Sequence, residues 1–336
     1  GVGSVIVFLP NILILYFFIS ILEDSGYLAR AAMLADPLFD KLGLHGKSFI
    51  PMLMGYGCNV PAVMATRTIE NPKSRMITML VTPMVSCSAR IPVYVVFAGA
   101  FFPQNASVVM LCLYAFGTCM ALLVAWVFSK IFMRKYESHF VMELPPYRLP
   151  SSRGVCRHTW EKGRQYLRKM GGIILVASIV IWALGYFPTG NDEQLTEAER
   201  QEQSYMGQIG HAIEPIIQPL GYDWRMGVGI MAGVGAKELM VSTLGVLYNC
   251  EAEDAEVETT EEASQTRLAQ ILTRHATPEA ALGYMVFALL YFPCLATIAA
   301  VKGESGSWKW AIFTAAYTTA LAYIMAFAVY RAALLF

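Results

Sequence analysis

Residues 55–61 read Gly55-Tyr56-Gly57-Cys58-Asn59-Val60-Pro61, and they interrupt a stretch, 47–69, that is otherwise apolar. Glycine, proline and polar side chains are costly inside a lipid-spanning helix. They are tolerated where the irregular backbone faces protein or a water-filled cavity. A second interruption follows in the next apolar stretch: Ser86-Cys87-Ser88-Ala89-Arg90-Ile91-Pro92. The pair then recurs. Gly233-Val234-Gly235-Ala236-Lys237-Glu238 breaks one later stretch, and Pro293-Cys294-Leu295-Ala296-Thr297-Ile298 breaks the one after it. Paired interruptions in corresponding positions of two halves are a sequence pointer to the binding site of a transporter.

The surrounding composition agrees. The chain is 56% hydrophobic and only 15% charged, against about a quarter charged for a soluble domain. Apolar runs of about 20 residues recur, long enough to cross the hydrocarbon core. The expected fold class is therefore an all-α polytopic membrane protein. The predicted spans are 4–22, 75–102, 107–133, 171–187, 280–301 and 308–333, with broken segments at 47–69 and 225–248. A helical, partly polar segment is expected over 23–46. The zero net charge gives no sign of a nucleic-acid partner. The chain begins at Gly1 without a basic n-region or cleavage site, and it reads as the membrane core of something larger.

Spacing supports an internal repeat. Gly57 to Cys87 is 30 residues and Gly235 to Cys294 is 59; the excess of 29 is close to the length of the acidic stretch 249–278. That stretch reads as a mobile polar loop. The expected organisation is a first membrane repeat, 1–133, broken at 55–59 and 83–92. A basic cytoplasmic loop, 134–169, leads to a second repeat, 170–336, broken at 233–238 and 293–294. Acidic external loops occupy 188–224 and 249–278. The positive-inside rule sets this orientation. If both broken segments crossed fully, the repeats would be parallel, with Arg30, Lys41 and Lys302 outside. If they are re-entrant hairpins, the repeats are inverted, with Arg67, Lys73, Arg75 and Lys302 inside. The second arrangement fits the charges better.

The breaks suit a cation. A helix that stops in mid-membrane presents unpaired carbonyls at its C-terminal half-end. Cys58, Cys87 and Cys294 add sulfur, with Asn59, Ser86, Ser88, Met54 and Met84 close in sequence. Thiolate and thioether ligands select Cu(I), Zn(II) or Fe(II). The acid at membrane depth is Glu238, which is either neutralised by Lys237 or serves as ligand or gate. Gly55, Gly57, Pro61, Pro92, Gly233, Gly235 and Pro293 shape the breaks. Arg90 in mid-span, costing ~2.5 kcal/mol or more at the bilayer centre, reads as a structural clamp on half-helix carbonyls. Ala236 stands where the first repeat has Cys58, so the metal site should lean toward the first repeat.

Other signals carry less. Cys112 and Cys119 read as packing residues, and Cys156 and Cys250 as incidental loop residues. Gly43-Leu44-His45-Gly46-Lys47-Ser48 ends like a phosphate-binding loop, but it lacks the first glycine and a preceding strand. Glu23 and Asp24 stand at the end of the first span, as a place for ions to enter or as a solvated helix end. A thiol enzyme would need a base near a cysteine, and none of the five histidines lies in a predicted span.

Five words in unchanged order resemble the membrane domain of the FeoB ferrous iron transporter family. They are Leu22-Glu23-Asp24-Ser25-Gly26-Tyr27, Gly57-Cys58-Asn59-Val60-Pro61, Ser86-Cys87-Ser88-Ala89-Arg90, Val141-Met142-Glu143-Leu144-Pro145 and Tyr291-Phe292-Pro293-Cys294. The resemblance implies import of Fe(II) across the bacterial cytoplasmic (inner) membrane by a multi-pass transporter rather than an enzyme. It maps Cys58, Cys87 and Cys294 onto the gate motifs. It also implies an N-terminal G domain outside this chain, to which GTP and magnesium would belong, and small cytoplasmic Feo accessory proteins as partners beside the lipid bilayer. A homo-oligomer is compatible with such a core. A hairpin-type carrier of another divalent metal or of a nucleoside-like solute is the alternative.

Overall fold

A computed structural model describes residues 2–132, 147–187, 203–249 and 261–335, and no strand occurs among them. Helix α1 (Val2–Asp24) turns at Gly26, whose left-handed backbone (φ 76°) lets the chain reverse into α2 (Tyr27–Lys41). The apolar stretch that follows is two seven-residue helices, α3 (Phe49–Gly55) and α4 (Asn59–Ala65), packed against each other. Each rises about 10 Å, a third of the hydrocarbon core. Asn71 caps α5 (Pro72–Val81) by accepting from the Lys73 and Ser74 amides. Pro83 and Pro92 cannot donate to the preceding turns, so the span unwinds between α5 and α6 (Ile91–Phe101). Helix α7 (Ala106–Phe132) is continuous.

Helix α8 (Ser152–Tyr186) starts well inside the basic stretch, so residues 152–169 are helical rather than loop. Helix α9 (Tyr205–Ile217) precedes α10 (Trp224–Gly235) and α11 (Leu239–Asn249), which pack against each other as α3 and α4 do. The expected mobile loop over 249–278 is corrected over 261–275. Helix α12 (Glu261–His275) packs on α6 and α11, because Leu268 and Leu272, one turn apart, supply a buried apolar stripe. Helices α13 (Pro278–Leu290) and α14 (Leu295–Ser305) form the second broken span, and α15 (Trp308–Ala333) closes the chain. The word Val141-Met142-Glu143-Leu144-Pro145, the basic residues 134–146 and the acidic residues 188–202 and 250–260 lie outside the described residues.

Four segments among the described residues are long and apolar enough to cross a membrane: Pro72–Phe101, Ala106–Ile131, Pro278–Ser305 and Trp308–Ala333. In the two broken ones 56% and 78% of the apolar window is buried, against 33% and 22% in the unbroken α7 and α15. The order follows from hydrogen bonding. An unwound backbone needs protein partners, which lipid cannot supply. Cys112 and Cys119, expected to pack, are exposed on α7, seven residues apart on its outward face. There lipid substitutes for a protein core.

Two compact units emerge. The first comprises Gly1–Ser88, Phe116–Leu175 and Ala296–Thr314; the second comprises Ala89–Ala115, Val176–Leu295 and Ala315–Phe336. The first contains α1–α5. The second contains α6 and α9–α13, with Phe97 stacked on Tyr284 and Tyr222 edge-on to Tyr284 and Phe287. Helices α7, α8 and α15 contribute residues to both.

Candidate ion site at the paired helix breaks

In the first unit the end of α3 is used up locally. The amides of Tyr56, Gly57 and Cys58 turn back onto the carbonyls of Leu53 and Met54. Cys58 then extends (φ −151°, ψ 131°) and becomes the residue before α4, with Pro61 in that helix's first turn, where a missing N–H costs nothing. The Gly57 carbonyl is left pointing at the other break. Ser88 binds it twice, through its backbone amide at 3.2 Å and its hydroxyl at 2.8 Å. The segment of Cys58 and the segment of Cys87 are therefore joined. Asn59, 5% exposed, ties the same two breaks. With its amide oriented to satisfy both ends, its NH2 donates to the Gly55 and Thr82 carbonyls, each at 3.3 Å. Met84, Ser86 and Cys87 are buried, whereas Ser88 is exposed and Cys58 half-buried. The junction is thus open at Ser88 and partly open at Cys58.

The second unit repeats this local geometry. Ala236 has φ −149° and ψ 137°, within a few degrees of Cys58. Gly43 (φ 70°) and Gly221 (φ 77°) stand 14 residues before Gly57 and Gly235 respectively. Both terminate an amphipathic segment in the left-handed conformation that favours glycine. Two residues later, His45 and Asp223 each accept a backbone amide as caps, from Lys47 and from Met226. Here the two breaks are joined by Lys237. Its Nζ donates to the Phe292 carbonyl at 2.7 Å and lies 3.1 Å from the centroid of the Tyr291 ring, and the residue is 4% exposed. Phe292 precedes Pro293, which forces an extended backbone and frees that carbonyl. Gly233 lies under the Tyr291 hydroxyl, which donates to the Ile230 carbonyl. Glu238 and Cys294 are both half-buried.

Among the described residues, no group of three or more His, Cys, Asp or Glu side chains is gathered as a metal cage. An ion at the first junction would therefore draw on carbonyls, hydroxyls and thioethers as well as thiols. Arg90 is 1% exposed at the start of α6, a position suited to a structural role.

Sequence reasoning missed Glu304, 5% exposed in its side chain, which accepts from Arg67 and, at 3.2 Å, from Arg75. A cavity of about 460 Å³ beside the first hairpin is lined by Tyr16, Met54 and Pro61 together with Glu23, Lys47, Arg67 and Lys162. Three cations against one acid make it unsuited to a metal ion. Glu23 bonds Lys162 at 3.0 Å and Lys47 bonds Glu70 at 2.7 Å.

Known families match most of the chain. The Gate family model, described as nucleoside recognition, matches residues 5–101 and 167–308. The model described as the ferrous iron transport protein B C terminus matches residues 110–162. A Porphyromonas gingivalis protein named Fe(2+) transport protein A/Fe(2+) transporter FeoB fusion protein is 51% identical over all of this chain and 44% of its own length. Proteins named Fe(2+) transporter FeoB are 43% identical in Staphylococcus aureus, over the whole chain and 48% of their length. In Methanocaldococcus jannaschii the identity is 41%, over 97% of the chain and 47% of the relative. The chain spans about half the length of the curated relatives it matches. No solved structure matches it.

Proposed function

Because the chain belongs to the FeoB family, matching that family's membrane portion, we propose that it is the permease core through which the whole protein imports Fe(II) across the bacterial cytoplasmic membrane. The observation that carries this reading is the junction of the first-repeat breaks. Ser88 on the Gly57 carbonyl holds the Cys58 and Cys87 segments together next to open space. Fe(II) would shed water there onto carbonyl and hydroxyl oxygens and onto the thiols of Cys58 and Cys87. Asn59, Ser86 and Met84 line the same break. Cys294 and Glu238 would meet the ion in the second repeat. The Gate description names nucleosides, but the C-terminal match and the relatives' names favour iron.

The two halves are read as inverted repeats with re-entrant hairpins, in a multi-pass protein. Three observations favour this. One family model matches both halves. The first broken span starts in the first unit and ends in the second; the other broken span does the reverse, and α7 and α15 likewise run in opposite senses. Finally, the segments of the first unit carry 18 Lys/Arg against 9 Asp/Glu, and those of the second carry 7 against 16. The 18 against 7 Lys/Arg, rather than the net charge, is the asymmetry that the positive-inside rule asks of cytoplasmic and external segments. The G domain, with its GTP and magnesium, and contacts with Feo accessory proteins belong to the whole protein.

The test is anaerobic uptake of Fe(II), Zn(II) and Mn(II) into sealed vesicles holding the full-length protein. Cys58→Ser and Cys87→Ser should each slow Fe(II) uptake at least about tenfold, the effect of losing about 1.4 kcal/mol of ion stabilisation. Normal iron uptake by Cys58→Ser, Cys87→Ser and Cys294→Ser alike would sink the thiol site.

A further inference from the structure

The two hairpins share a backbone but not a charge. After the first helix of each hairpin the chain extends, at Cys58 in the first repeat and at Ala236 in the second, with dihedrals that agree within a few degrees. One residue on, Asn59 and Lys237 do the same job with different groups. Each is buried, and each donates from the hairpin break to a carbonyl of the neighbouring broken span. Asn59 does so with a neutral amide. Lys237 does so with an ammonium.

We propose that Lys237 is a built-in cation that occupies the second repeat's counterpart of the ion site, so that the duplicated architecture holds Fe(II) at one of its two breaks only. This rests on the reading of the first break as an Fe(II) site. The Phe292 carbonyl is the kind of acceptor a desolvating metal ion needs. At 2.7 Å it is already engaged by a charge-assisted donor. The Tyr291 ring face, 3.1 Å from Nζ, supplies the second half of a cation's surroundings. A divalent ion arriving at this break would meet a fixed positive charge in a water-poor site, where repulsion is strong. The substitution of a thiol by the Ala236 methyl removes a metal ligand from the same place. Two neighbouring differences thus act in one direction, and Cys294 is left as a point of passage rather than of residence.

The experiment measures Fe(II) bound per chain at equilibrium, anaerobically, in the detergent-solubilised full-length protein. Wild type should hold one Fe(II) in the membrane core, with the G domain's contribution subtracted using the isolated domain's own titration. Ala236→Cys should still hold one. The pair Ala236→Cys with Lys237→Asn copies the first repeat's Cys58-Asn59 into the second, and it should hold two, returning to one when Cys294→Ser is added. Ala236→Cys with Lys237→Arg keeps the charge and should stay at one. A second ion in Ala236→Cys alone, or in the Arg pair, overturns the proposal, and neither result depends on whether the Asn pair folds. A folded Asn pair that still holds one ion overturns it too. If wild type holds none while the protein melts normally, it is the Fe(II) reading of the first break that fails.

Discussion

Tyr291 fixes its hydroxyl over Gly233, and a Cβ at that glycine would collide with it. Gly233→Ala should therefore cost about 1–3 kcal/mol through overpacking. Adding Tyr291→Phe, which removes the colliding oxygen, should restore most of it, although Tyr291→Phe alone gives up the bond to Ile230 and about 1 kcal/mol. Thermal unfolding in detergent checks this; a double variant no better than Gly233→Ala rejects the contact. His45, outside the spans, gives a pH signature. Burial, and next the nearby Lys47, hold its imidazole below the usual value of 6.5. Its Nδ1 also accepts from the Lys47 amide, which protonation would end. The unfolded chain binds that proton more readily, so this stabilisation is complete above pH 6.5 and is lost as the pH falls toward the folded value. His45→Asn keeps an acceptor but does not titrate, so its melting temperature should fall less than wild type's on acidification below that pH. At this scale the sequence was most informative where chemistry and backbone coincide: Gly55, Gly57, Pro83 and Pro293 mark the breaks to within a residue or two. Lys237 was less legible. Its neighbour Glu238 suggested a local pair, whereas its ammonium donates to the Phe292 carbonyl, 55 residues away.

Individual helices are set by caps and breakers, but their attachments are long-range. Glu304 ends α14 and binds Arg67 and Arg75, more than two hundred residues earlier. Its carboxylate is nearly inaccessible while Arg67 is half-exposed, so Glu304→Ala should cost about 1–2 kcal/mol, well short of a fully buried pair. Arg67→Ala should cost less than Arg75→Ala, because the more exposed cation is the better solvated one left alone or removed. Chemical denaturation of the three variants orders them. Nothing in the apolar pattern announced this clamp, since a glutamate at a helix end reads as solvated until its partners are known. Helix α12 escaped notice for the opposite reason. Its composition is polar, and only Leu268 and Leu272 reveal a packed face.

At the level of the whole chain, the proposed duplication rests on the recurring glycine and cysteine words, and its proposed sense on charge and crossing number. The hairpin reading predicts that Lys41→Cys and Lys73→Cys, flanking the first hairpin, label from the same side. Gln208→Cys and Arg274→Cys, flanking the second, should label together from the other side. An impermeant maleimide applied to intact cells expressing the full-length protein, with Cys112, Cys119, Cys156 and Cys250 replaced by Ser, should reach only the second pair. Labelling of one flank but not the other in either pair would mean that the hairpin crosses. The burial order of the spans has a mechanical side. Helices α7 and α15 carry 27 and 26 residues, about 40 Å of rise against a hydrocarbon core of about 30 Å. They meet a thinner or thicker bilayer by tilting. Neither helix carries any of the proposed ion-binding groups, so a tilt that answers hydrophobic mismatch acts on segments that bind no ion.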